Sequence, residues 1–146
     1  MSDQTALLLA VHLAATMAMF GVIWFVQVVH YPLFAAVGRP EFAEYEAQHV
    51  RRTGWVVGPL MAIEVLAAIA ILFFARDEVG LALPLVGLAL LLAIHACTAF
   101  FAVPAHRRLE EGFDDATQRR LVATNWLRTA GWTARSGIAV AMVVVA

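Results

Sequence analysis

The sequence predicts an all-α protein, a four-helix transmembrane bundle, and three observations carry that prediction. Of the 146 residues, 62% are hydrophobic and only 14% charged, where a soluble domain carries about a quarter charged residues. The charge is also patchy. No Asp, Glu, Lys or Arg occurs over 4–38 or 79–106, and each gap exceeds the roughly 20 apolar residues that cross a bilayer as a helix. Within these stretches, finally, the few polar residues recur at helical spacing. Together they exclude a soluble globular domain and a disordered chain, and Cys97 as the single cysteine excludes a disulfide scaffold. A net charge of −1 supplies no field for nucleic acid, so no nucleic-acid partner is expected.

Spans are expected at about 6–30, 55–75, 80–103 and 124–145, making 1–146 a single integral-membrane domain with the lipid bilayer as its partner. The head Ser2-Asp3-Gln4 lacks the basic region of a secretory signal and the following apolar run is too long for one, so the first span reads as a membrane helix. Four spans put both termini on one side, together with the turn Arg76-Asp77-Glu78. The connections 31–54 and 104–123 share the other side. They hold Arg39, Arg51, Arg52, Arg107, Arg108, Arg119 and Arg120 of the 10 basic residues. The positive-inside rule makes them cytoplasmic and puts both termini on the non-cytoplasmic side, as in a bacterial inner (plasma) membrane. Both connections read as partly helical. Pro40 suits a first turn followed by Phe42, Tyr45 and His49 at three and four, and Asp114 or Asp115 suits an N-cap running into the fourth span.

A strongly polar side chain in hydrocarbon costs about 2.5–3.5 kcal/mol on insertion scales, so each one requires a reason. His12 and His30 lie five helical turns apart and therefore share a face, with Thr16 and Gln27 close to the same line. His95 and His106, three turns apart, share a face across Pro104. The last span carries Asn125, Thr129, Trp132 and Ser136, flanked by Arg128 and Arg135. Depth sharpens the pattern. Counted inward from Trp55, Pro104 and Asn125, the residues Glu64, His95 and Arg135 all lie roughly 14–15 Å deep. Glu64 and Arg135 are expected to pair, since each alone would be costly, and His95 is expected to join them. Two readings stay open: the pair locks the bundle, or with His95 it floors a pocket.

Above that level His30, His49 and His106 are expected to converge at the cytoplasmic ends with Tyr31, Asn125 and Arg128. Imidazoles from three elements suit zinc, copper or iron, although no two of the histidines have the three- or four-residue spacing of a helical metal motif. Asn125 and Arg128 equally suit an anionic head group.

The stretch from Val11-His12 to Glu64, with Trp24, Tyr31-Pro32, Arg51-Arg52 and Pro59, resembles the small four-helix membrane proteins related to anthrone oxygenases. Thr98, Pro104, Leu109, Asn125-Trp126 and Arg128-Thr129 extend the resemblance through the third and fourth helices. A looser likeness links the chain to the membrane protoporphyrinogen oxidases, which bind haem through a histidine near the start of their first helix. His12 is the position that would inherit that role. The lysine of their third helix has no counterpart, because this chain has no lysine, and His95 occupies the comparable region. Both likenesses imply oxidation of a hydrophobic, polycyclic substrate within the membrane.

The expected function is that of a metal- or haem-dependent oxidoreductase acting on a lipophilic small molecule in a polar pocket open to the cytoplasm. His30, His49 and His106 would bind a metal ion (copper, iron or zinc) or act as acid–base groups. Glu64, His95 and Arg135 would set the electrostatics below, Arg128 and Asn125 would orient the substrate, and His12 would serve a haem. The alternative is a membrane binding or transport protein for haem, metal or a lipid-like ligand, without catalysis. Alternating access in so few helices calls for a homo-oligomer, which is left open, as is a third role as accessory subunit of a larger complex.

Overall fold

The computed structural model describes all 146 residues and contains no strand. Helix α1 covers Asp3–Ala36, α2 Arg39–Phe74, the short α3 Arg76–Val79, α4 Ala82–Leu109 and α5 Asp115–Val145. Helices α1, α2 and α4 are each long and apolar enough to cross a membrane. Helix α5 matches them in length but is less apolar, because Arg119, Arg120, Arg128 and Arg135 interrupt it. The connection expected over 31–54 is almost wholly helical, since α1 runs on to Ala36 and α2 begins at Arg39.

Helix starts follow the local chemistry. The Ser2 hydroxyl accepts from the Thr5 N–H at 3.1 Å, and the Asp114 carboxylate accepts from the Thr117 N–H at 2.9 Å. Asp114, not Asp115, is therefore the N-cap of α5. The Thr117 hydroxyl and N–H hold the Asp114 carboxyl below the usual aspartate range. At the other end of the molecule, hydrogen bonds from the Thr5 hydroxyl and the Ser2 N–H likewise lower Glu78. Gly80 (φ 73°) takes the left-handed conformation that turns α3 into α4.

Helix α1 packs against α2 and α5, and α4 packs against α5 and α2. Both termini lie at one end with α3, where Ser2 bonds Glu78 and Ala146 packs beside Leu9, Ile71, Val79 and Met142. The opposite, distal end carries the α1–α2 connection and an apolar cluster of Phe34, Phe42, Leu109 and Leu121. Burial inverts the soluble pattern. Leu7, Leu66, Phe73, Phe100 and Val144 are exposed, whereas Thr16, Gln27, Glu64, Asn125 and Arg135 are buried. An apolar exterior around a polar interior is what lipid selects, because interior polar groups can satisfy only one another.

Two π turns, Val26–His30 in α1 and Thr98–Ala102 in α4, set the geometry of the distal end. In the first the Tyr31 N–H bonds the Val26 carbonyl, and in the second Val103 bonds Thr98, each reaching back five residues. Each turn ends two residues before a proline, Pro32 and Pro104. Proline has no N–H and its ring crowds the carbonyl four residues back, and a widened turn takes up both defects. A π turn inserts one residue into the helical count and so rotates everything beyond it by about 100°. This overturns two sequence expectations. His12 is buried but His30 is only half-buried, its inward place taken by Tyr31. His95 and His106, set on one face by α-helical counting, also part company.

Candidate metal centre

At the molecule's middle level, Glu64 of α2 meets Arg135 of α5 at 3.3 Å (Oε1 to Nη2), both buried. Thr16 of α1 donates to the same oxygen at 3.1 Å, and the Trp132 indole N–H donates to the other at 3.0 Å. Arg135 also donates to the Gly87 carbonyl of α4. One network thus joins α1, α2, α4 and α5. His95 is not in it. Its Nδ1 bonds the Leu91 carbonyl one turn back on its own helix, at 2.8 Å, because His95 sits beside the buried Leu91–Ile94 line, not on it. The imidazole that does join is His12, whose Nε2 accepts from Arg135 Nη2 at 3.2 Å.

The space between His12, Gly87 and Arg135 has no volume that a water could enter. The middle level is therefore closed, not the floor of an open pocket, and a haem carried by His12 does not fit there. Asn125 is also buried: its amide N–H₂ donates to Gln27 at 2.9 Å and its oxygen accepts from Arg128 at 2.9 Å. Arg128 pairs with no carboxylate. Its guanidinium lies 5.5 Å over the Trp132 ring, with Nε unpartnered.

The distal end is built differently. Phe34 packs edge-on against His30 and His49, both at 5.2 Å between ring centroids, and so braces two imidazoles at once. Tyr31 and His106, each brought inward beyond a π turn, meet at 2.9 Å between the phenol oxygen and Nε2. His106 Nδ1 bonds Glu46 Oε1 at 2.5 Å. His30 Nε2 and His49 Nδ1 are 2.9 Å apart, and the Thr53 hydroxyl lies 3.1 Å from the same His49 nitrogen. Glu46, His49 and His106 each place one donor atom within 4.8 Å of the others. Glu46 is fully buried, yet its Oε2 has no hydrogen-bond partner.

The expected triad of His30, His49 and His106 is thereby corrected. His30 bonds His49 from outside, and the third donor is Glu46, which sequence reasoning missed. A signal existed in the three-residue step from Glu46 to His49 along α2, a Glu-x-x-His spacing that sets carboxylate and imidazole on one helix face. Counting pairs of histidines alone overlooked it. Two imidazoles and one carboxylate form a donor set suited to a divalent transition metal, and the orphaned Glu46 oxygen is what such an ion would satisfy.

No family model matches the chain, and comparison with curated proteins and with solved structures finds no match either.

Proposed function

We propose that the protein is a metal-dependent membrane oxidoreductase whose ion is held by Glu46, His49 and His106. The carrying observation is the fully buried Glu46 with one oxygen unsatisfied beside two imidazoles. An unpartnered buried carboxylate is costly, and a cation at the donor atoms offsets that cost. Bound iron or copper would supply redox chemistry at this site. The chain's own residues would orient the ligands: Tyr31 holds His106, while His30 and Thr53 hold His49.

The same proposal takes the chain as a four-helix transmembrane bundle in a bacterial inner membrane, with both termini non-cytoplasmic and the metal centre at the cytoplasmic end. The arginines that depress the hydropathy of α5 support its counting as the fourth span, for Arg128 and Arg135 are buried in the interior and Arg119 and Arg120 lie near its distal end. The likeness to the anthrone oxygenase group supports a lipophilic substrate.

Metal analysis and an absorption spectrum of the detergent-purified protein test the proposal together. Near-stoichiometric iron or copper without a Soret band is expected, lost in Glu46→Gln, His49→Ala and His106→Ala. Zinc in its place would favour the binding or transport reading without redox chemistry, and a Soret band would replace the cluster by haem. A second reading rests on the chain Tyr31–His106–Glu46, a phenol, an imidazole and a carboxylate in series, which suits acid–base work. It predicts no metal, with turnover lowered by each substitution.

A further inference from the structure

A furrow runs along the seam between α1 and α2 and starts beside the candidate metal centre. Its polar end, about 450 Å³, is lined by His30, Tyr45, Gln48, His49, Arg52 and Thr53. The adjoining section, about 280 Å³, keeps His30, Arg52 and Thr53 and adds the apolar walls Val22, Phe25 and Val26 of α1 and Val56 and Val57 of α2. The two sections adjoin, with three lining residues in common, and the chemistry changes from polar to apolar from one to the other.

Arg52 stands where that change occurs. It takes part in none of the protein's ion pairs, whereas its neighbour Arg51 is occupied over the Trp55 ring at 6.0 Å. Beside it the Phe25 and His30 rings stack with 22° between their planes and 6.1 Å between centroids, which gives the wall a flat aromatic stretch. An unpaired guanidinium at the head of an apolar trough is complementary to one kind of molecule, an amphiphile with a single anionic head. The guanidinium fork binds a carboxylate through two parallel hydrogen bonds, and the combined space lies in the range of small-molecule sites.

We propose that this furrow binds a lipophilic carboxylic acid, its carboxylate on Arg52 and its apolar body against Phe25, Val26, Val56 and Val57, entering sideways from the bilayer. The site names the substrate class for the adjacent metal centre and rests on the functional reading above only for that link. Binding itself needs no metal.

The test uses the metal-stripped full chain in nanodiscs of neutral phosphatidylcholine, with a dansyl-labelled undecanoic acid and its methyl ester as fluorescent probes. The acid is expected to bind at least tenfold more tightly than the ester. Arg52→Gln is expected to remove about tenfold of the acid's affinity and leave the ester's unchanged, and Arg51→Gln is expected to change neither. Val56→Trp, which fills the trough, is expected to weaken both probes. Equal binding of acid and ester, or an Arg52→Gln protein that holds the acid as tightly as the parent, would overturn the proposal. Metal content measured on the unstripped samples separates the two claims. A chain that binds the acid as expected yet carries no metal overturns the metal centre and leaves the furrow, and the opposite pattern does the reverse.

Discussion

Glu64 and Glu46 are both fully buried, and the protein surrounds them in opposite ways. Glu64 has both oxygens occupied, by Thr16 and Arg135 on one side and Trp132 on the other, with no room beside the network for water. Glu46 has one oxygen on His106 and the other on nothing, a short distance from an open furrow. The first carboxylate meets a fixed cation, and the second lies beside two imidazoles with which it could share a metal. A buried charge that is fully matched binds helices together, while one left partly unmatched is poised for a ligand.

The largest effect should come from breaking the matched site. Glu64→Gln or Arg135→Leu alone is expected to cost about 3–5 kcal/mol, because each leaves its partner as an uncompensated buried charge. The double change should recover part of the loss in chemical denaturation. Strict additivity would mean that the two side chains do not interact. A smaller loss, about 1–3 kcal/mol, is expected for Trp132→Phe, which keeps the ring but leaves Glu64 Oε2 without its donor.

At the other glutamate the order of effects reverses. Glu46→Gln should leave the melting temperature of the metal-free protein nearly unchanged, or raise it, since it removes a charge that is only half satisfied. Metal occupancy should fall at least tenfold in the same variant. A Glu46→Gln protein that unfolds as readily as Glu64→Gln would erase the contrast between the two sites.

The smallest effect concerns pH. Asp114 titrates below its unfolded value because Thr117 donates to it, so its contribution to α5 is complete above about pH 4, near the unfolded aspartate value, and disappears as the pH falls through the lower folded value. Hydrogen exchange at the first turn of α5 should accelerate over that acid range and show no such step in Asp114→Ala.

How far the sequence carries this picture depends on the level of the molecule. The alternation of charge and apolar runs gave the helices, and even counting along α2 and α5 put Glu64 and Arg135 at one depth, where they do meet. Neither helix contains a π turn, so α-helical arithmetic held. In α1 and α4 the same arithmetic failed across the π turns, and that is why His12 with His30, and His95 with His106, were set on shared faces that the helices do not keep. Pro32 and Pro104 announced a defect in the hydrogen-bond ladder, but a kink and a π turn answer the same defect, and local sequence does not choose between them. Glu46 was obscured for another reason. With Glu41 and Glu44 just before it, it reads as part of a solvated acidic face, and only the packing of Phe34 and Phe42 closes the distal end over it.

The two π turns also give the helices that carry them an adjustable phase. Each stores one residue more than a regular helix needs, and both lie between the middle network and the distal cluster. Winding Val26–His30 into a regular α-helix, with no change of sequence, would lengthen α1 by only about 1.5 Å. It would nevertheless turn everything beyond it by about 100°, returning His30 to the interior and sending Tyr31 out, while His12 and Thr16 kept their places. The lower half of the protein can therefore stay locked while the winding of a single turn decides which side chains face the distal interior. A fold punctuated in this way can change its chemistry at one end without renegotiating its stability at the other.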